Sequence, residues 1–281
     1  MNQDRAALET PSGKGAGDEN FPVGSFLIPR ELRPHVAVFY AYARAIDDIA
    51  DNPALGSNEK TTRLDTFADA LLNGSKDPGL AKAEAVRQSF AERGITIKHA
   101  LDLISAFKQD AVKHEYESWA ELLDYCDRSA SPVGRFLLDL HGEHPSLYPF
   151  SDALCNALQV INHLQDCAKD YRDLKRIYLP QAWLRGESAN SDFLLQPTLS
   201  PRVRRVLDRA LERVDTLLVE ARRLPRNLTH GRLAAETAVI VAIAERLTAR
   251  LRVEDPVATR VELGKFEAAR TALGGLIRLW T

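Results

Sequence analysis

The 281 residues carry 37 Lys plus Arg against 39 Asp plus Glu, for a formal net charge of -2, with 45% hydrophobic and 27% charged residues. Charge this balanced leaves no electrostatic footprint for nucleic acid, and the apolar fraction is that of a globular protein rather than a disordered chain. Three cysteines, Cys126, Cys155 and Cys167, form an odd set without metal-ligand spacing, which fits reduced thiols in a cytoplasmic compartment better than a disulfide framework.

Residues 1–20 are polar and lack an apolar core segment, so they read as a disordered tail, neither a secretory signal nor an anchor. Gly13, Gly15 and Gly17 mimic a phosphate loop only superficially, because no strand precedes them. From Pro34 apolar residues recur at helical spacing, with Val36, Phe39, Tyr40 and Ala43 on one side, until Asn52 and Pro53 stop the helix. Helical patterns follow over about 57–73, 79–92, 96–113, 118–128 and 132–142, punctuated by Gly74, Pro78 and Gly94. A long helix is expected from Ser151 to about Leu174, then a structured loop with a short helix, then helices over about 201–223, 233–252 and 265–279. The apolar run from Ala238 to Ala244 lies between Glu236 and Glu245 and is far shorter than the ~20 residues a membrane span needs. The expectation is an all-α protein: one domain over residues 21–281, a large helical bundle without strands.

Two helices carry the chemistry. In ARAIDDIAD, Asp47 and Asp51 stand four residues apart on one face, with Asp48 and Arg44 beside them. In ALQVINHLQDCAKDYRD, Gln159, Asn162, Asp166 and Asp170 follow at spacings of three, four and four, one polar stripe bordered by Leu158, Val160, Ile161 and Leu164. Carboxylates crowded on half-buried faces repel unless a cation neutralises them. All-oxygen donors suit Mg²⁺, which keeps waters and bridges a few carboxylates to substrate phosphates, so a diphosphate ester is the natural partner. DDIADN lacks the alternating ligands and turn glycine of a calcium loop, and His163 with Asp166 is a poor di-iron motif.

At these helices the chain resembles the squalene and phytoene synthase family of prenyl diphosphate enzymes over nearly everything after Asn20. ENFPVGSFLIPRELRPHVAVFYAYARAIDDIAD is similar to the family's entry helix and first Asp-rich motif. YESWAELLDYCDRSASPVG is similar to its tyrosine–cysteine helix, and NHLQDCAKDYRDLKRIYLP to its second Asp-rich motif. The resemblance implies the isoprenoid synthase fold with a central cavity, Mg²⁺ as cofactor, and Asp47, Asp51, Asp166 and Asp170 as metal ligands with Asn162 beside them. It also implies that Ser25, Arg44, Arg176 and Tyr178 hold the diphosphate, with Gln159 and Asn162 as polar positions beside the metal ligands that also face the substrate. The family's condensing members usually carry Tyr where this chain has Arg128, and Arg and Glu where it has Gln165 and Lys169, which alters the expected diphosphate environment.

The ENFPVGS, FYAYARAIDDIADNP and NHLQDC segments most resemble the bacterial hydroxysqualene synthase branch of hopanoid biosynthesis. The implied reaction ionises presqualene diphosphate and captures the rearranged cation with water, and the alternative is head-to-head condensation of two prenyl diphosphates. Arg44 has a rival role as an intrahelical ion-pair partner of Asp47 or Asp48, and Arg128 either contacts diphosphate or stands idle. Tyr42, Tyr125 and Tyr171 are candidates for positioning water or facing a cation, with core packing as the commoner role for such aromatics. His163 reads as a structural histidine before a base. A hydrophobic substrate implies peripheral contact of a cytoplasmic enzyme with the membrane surface.

Overall fold

The computed structural model describes residues 27–280, and among them the all-helical expectation holds: no strand forms, and the extended pairing is an isolated parallel bridge between Glu115 and Ile177. The expectations for residues 1–20 and for Ser25 lie outside the described residues. The described residues divide into two compact units, residues 27–113 with 139–142, and residues 114–138 with 143–280.

The first unit contains α1 (Arg33–Asp51), α2 (Ser57–Asn73), α3 (Ala81–Arg93) and α4 (Lys98–Asp110). Pro34 occupies the first turn of α1, where its missing N–H costs nothing. At the other end Asn52 precedes Pro53 and turns extended, φ -63° and ψ 113°, as proline requires of its predecessor. Gly94 ends α3 in the left-handed region at φ 66°, and its N–H bonds back to the carbonyls of Phe90 and Ala91. The core is aromatic: Phe39 meets Phe90 at 5.4 Å and Tyr42 meets Phe67 at 6.4 Å between ring centroids. Each such buried ring contributes about 1.5–3 kcal/mol through removal from water. Of the face named from the helical period, Val36 and Phe39 are buried and Tyr40 and Ala43 half-buried; Tyr42, Ala45, Ile46 and Ile49 are buried as well, because α2, α3 and α4 all pack on α1 and widen its buried arc.

The second unit contains α5 (Trp119–Ser129), α6 (Ser131–Leu140, whose last two residues count with the first unit), α7 (Tyr148–Gln165), α8 (Cys167–Leu174) and α9 (Gln181–Gly186). It continues with α10 (Pro201–Ala221), α11 (Leu224–Asn227), α12 (Gly231–Leu251) and α13 (Lys265–Trp280). Ser118 caps α5 by accepting the Glu121 N–H, and Ser200 caps α10 by accepting that of Val203. The buried Glu143 accepts from Thr229 N, Thr229 Oγ1 and His230 N at 3.1, 3.1 and 2.7 Å, fixing the approach to α12. Two glycines permit close helix approach. A Cβ on Gly134 would lie 2.3 Å from Ser151 Oγ of α7, and one on Gly275 would lie 2.7 Å from the Ala238 carbonyl oxygen of α12.

The expected single helix from Ser151 to Leu174 is interrupted. Asp166 leaves helical geometry at φ -101° and ψ 6°, separating α7 from α8. The hydrogen-bond ladder survives the bend, with Asp166 N donating to Asn162 O at 2.9 Å and Asp170 N to Asp166 O at 2.8 Å. The bend coincides with two distant grips: Gln165 donates to the Val261 carbonyl, and Arg260 binds the Asp166 carboxylate.

Candidate active site

In the first unit, the last two turns of α1 carry Arg44, Asp47, Asp48 and Asp51. The Arg44 guanidinium spans two carboxylates, Nη1 lying 2.9 Å from Asp47 and Nη2 2.9 Å from Asp48. This is the intrahelical role weighed against diphosphate contact. Partial burial and the Asp51 carboxylate push the Asp47 carboxyl from its ordinary 3.8 up to about 8; Arg44 opposes the shift, and Asp110 and Asp48 add to it. Asp110, buried at the end of α4, is a member of this cluster that sequence reading missed. It lies 59 or more positions from the α1 aspartates in a helix of its own, so no local spacing points to it.

In the second unit, Gln159, Asn162, Asp166 and Asp170 run from α7 across the bend into α8, all half-buried. Arg260 grips Asp166 with two hydrogen bonds, Nε at 2.6 Å and Nη2 at 3.1 Å. Arg260 is the second residue that sequence reading missed; it sits in the connection between α12 and α13, in a stretch without periodicity. Gln165, read as an altered diphosphate position, is buried with its amide committed to Val261, and Lys169 pairs with Asp173 at 2.7 Å.

Arg176 and Tyr178 are buried after α8. The Tyr178 ring stacks on His163 with centroids 3.4 Å apart and 11° between planes, and also meets Tyr116 at 5.7 Å and Tyr125 at 6.1 Å. Burial, and secondarily the nearby Arg176 charge, lower His163 from 6.5 to about 3, so the ring is neutral at working pH. Its Nε2 is buried without a hydrogen-bond partner among the described residues, and the ring lines a cavity of about 10 Å³, room for about one water. Tyr42 is core: it is fully buried, its hydroxyl donates to the Ala100 carbonyl at 2.9 Å, and burial raises its pKa well above 10.0. Tyr171 is half-buried beneath Lys175, whose Nζ lies 5.2 Å from the ring centroid. Arg128, half-buried on α5, pairs with Asp124 at 2.7 Å.

Among the described residues no group of three or more His, Cys, Asp or Glu side chains converges as a metal held by protein alone requires. Paired oxygen donors still fit Mg²⁺, which takes one or two carboxylates and completes its shell with water and phosphate oxygens. The burial and like-charge crowding that push the Asp47 carboxyl up are the electrostatic condition a divalent cation relieves.

Comparison with known proteins gives a consistent result. The family model described as squalene/phytoene synthase matches residues 15–267. The hydroxysqualene synthase of Rhodopseudomonas palustris is 41% identical over 272 residues, covering 96% of this chain and 92% of that protein. The hydroxysqualene synthase of Zymomonas mobilis is 43% identical over 258 residues, 91% and 86% of the two chains. Among solved structures, squalene synthase HpnC from Alicyclobacillus acidocaldarius superposes with a TM-score of 0.72 at 34% identity, over 82% and 86% of the two chains. A dehydrosqualene synthase superposes with a TM-score of 0.75 at 18% identity over 94% and 92%, which bears on fold alone.

Proposed function

The chain belongs to the squalene/phytoene synthase family, and from that premise we propose that it converts presqualene diphosphate and water into hydroxysqualene and diphosphate. The observation that carries this reading is the 38–43% identity to three hydroxysqualene synthases over more than nine-tenths of the chain. At the coarser level it is an enzyme that processes a prenyl diphosphate.

In this reading Asp47 and Asp51 of α1, and Asp166 and Asp170 at the α7–α8 bend, hold Mg²⁺, with Asn162 beside them. When bound, the metal withdraws charge from the diphosphate oxygens and makes diphosphate a better leaving group. Arg44, Arg128, Arg176 and the Ser25 hydroxyl donate to those oxygens, with Gln159 and Tyr178 completing the substrate contacts. Arg44 would give up one of its two carboxylate partners to do so, and Arg260 would release Asp166. The carbon–oxygen bond breaks with its electron pair leaving on diphosphate. The cyclopropylcarbinyl cation rearranges, and a water oxygen donates a pair to the new cation and gives its proton to diphosphate or solvent. No reductant enters this balance. The buried cluster of Tyr116, Tyr125 and Tyr178, with Tyr116 stacked on Tyr178 and Tyr125 tilted against both, supplies aromatic rings of the kind that stabilise positive charge. Neutral His163 is a poor base at pH 7 and serves as a rigid partner for Tyr178.

The test is to incubate the purified protein separately with presqualene diphosphate and with farnesyl diphosphate, each with Mg²⁺ and without NADPH, and to identify the lipids. An alcohol from presqualene diphosphate alone is expected. Presqualene diphosphate or a hydrocarbon formed from farnesyl diphosphate would move the assignment to condensation, and Arg128→Tyr would then be expected to raise that activity.

A further inference from the structure

The outer face of α13 departs from the pattern of the other long helices in its unit. α10 turns Arg202, Arg205, Glu212, Arg213 and Asp215 to solvent, as a surface helix should. α13 instead exposes Phe266, Leu273, Ile277 and Trp280, at 85%, 59%, 55% and 80% of full accessibility. Their spacings of seven, four and three residues put all four on one side of the helix. The opposite side is already used, since Gly275 is buried there against Ala238 and Ala242 of α12. A helix apolar on both sides has one face still to cover.

The charges beside the stripe indicate what covers it. Arg270 lies within the stripe and Lys265 at its start; both are exposed, and neither has an ion-pair or hydrogen-bond partner for its side chain among the described residues. The acid of this helix, Glu267, is already bound by Arg246 and Arg250. At the C-terminal end Arg278 pairs with Glu245, and Arg226 of α11 donates to the Arg278 carbonyl. Positive charge therefore accumulates here in a chain whose net charge is -2. A second copy docked by two-fold symmetry would bring the same unpaired cations and no acid on the stripe to meet them. A bilayer surface with anionic head groups supplies both hydrocarbon for the stripe and phosphate for Arg270 and Lys265, and an indole on the stripe suits a helix lying in the interface.

We infer that α13 docks this protein onto anionic membranes, lying in the interface with Phe266, Leu273, Ile277 and Trp280 among the acyl chains and Arg270 and Lys265 at lipid phosphates. The inference needs no assumption about the reaction catalysed. It is tested by co-sedimenting the full chain with phosphatidylcholine vesicles, with and without phosphatidylglycerol. The wild type is expected to bind the anionic vesicles and to be released by high salt. The triple variant Phe266→Ser, Ile277→Ser, Trp280→Ser is expected to bind at least about tenfold more weakly, and Arg270→Glu about fivefold more weakly. Circular dichroism melting checks that each variant folds. If the triple variant does not fold, quenching of wild-type tryptophan emission by brominated lipid, compared with Trp280→Phe, reads the same contact. Absence of vesicle binding by the wild type, or equal binding by a folded triple variant, overturns the proposal. So does a wild-type dimer that the triple variant converts to monomer, which would assign the stripe to a second copy.

Discussion

Asp47 shows how position decides protonation. Its carboxyl titrates near 8 in the folded chain against 3.8 in an exposed one, because burial and Asp51 both oppose its charge. The folded state thus binds this proton more tightly than the unfolded state. The stability Asp47 contributes is complete below pH 3.8 and is lost as pH rises through about 8. A divalent cation replaces the proton, so the rise in melting temperature on adding Mg²⁺ should be small near pH 5 and grow toward pH 8. Melting curves with EDTA and with Mg²⁺ across that range measure it, and a metal effect independent of pH would count against a cation at Asp47. Asp51→Asn and Asp170→Asn should each lower turnover by more than about a hundredfold, since loss of supporting groups around metal ligands alone costs 10–100-fold. Their melting temperatures without metal should stay near wild type. Near-normal turnover of presqualene diphosphate by either variant would remove the metal assignment.

Between α12 and α13, adjacent glycines make opposite predictions. A methyl at Gly275 would meet the Ala238 carbonyl oxygen at 2.7 Å and the Ala242 Cβ at 2.9 Å, neither of which can rotate away. Gly275→Ala should therefore destabilise by about 1–2 kcal/mol, the overpacking cost exceeding the gain in helix propensity. Gly274 has nothing within 4 Å of a built Cβ, so Gly274→Ala should stabilise by up to about 1 kcal/mol. Urea denaturation of the two variants measures the contrast, and equal effects would mean that α13 does not seat on α12 through Gly275. Helix limits were readable from sequence where the stop is local: Asn52 before Pro53, Gly74 and Gly94 each ended a helix where expected. The bend at Asp166 was not readable, because it coincides with contacts from Val261 and Arg260, 94 or more positions away.

For the chain as a whole, a single folding domain over residues 21–281 is our proposal, and α6 contributes residues to both compact units. Calorimetry should show one unfolding transition. Mg²⁺ with inorganic diphosphate should raise it, by about 2.7 kcal/mol when free ligand is about a hundred times its Kd. Two transitions, only one of them moving with ligand, would show that the acidic pairs of α1 and of the α7–α8 bend do not serve the same ligand.

The all-helical class, the helix positions and the aspartate spacings were available from residue order, because helical periodicity, proline and glycine stops and i to i+4 placement act over a few residues. Family membership followed from the same local motifs. Other features depend on residues that share no local spacing. Asp110 crowds Asp47, Arg260 binds Asp166, His163 stacks on Tyr178 and is kept neutral by burial, and α13 seats Gly275 on α12 while Phe266, Leu273, Ile277 and Trp280 stay exposed. Packing brings these groups together, and burial then sets their charge.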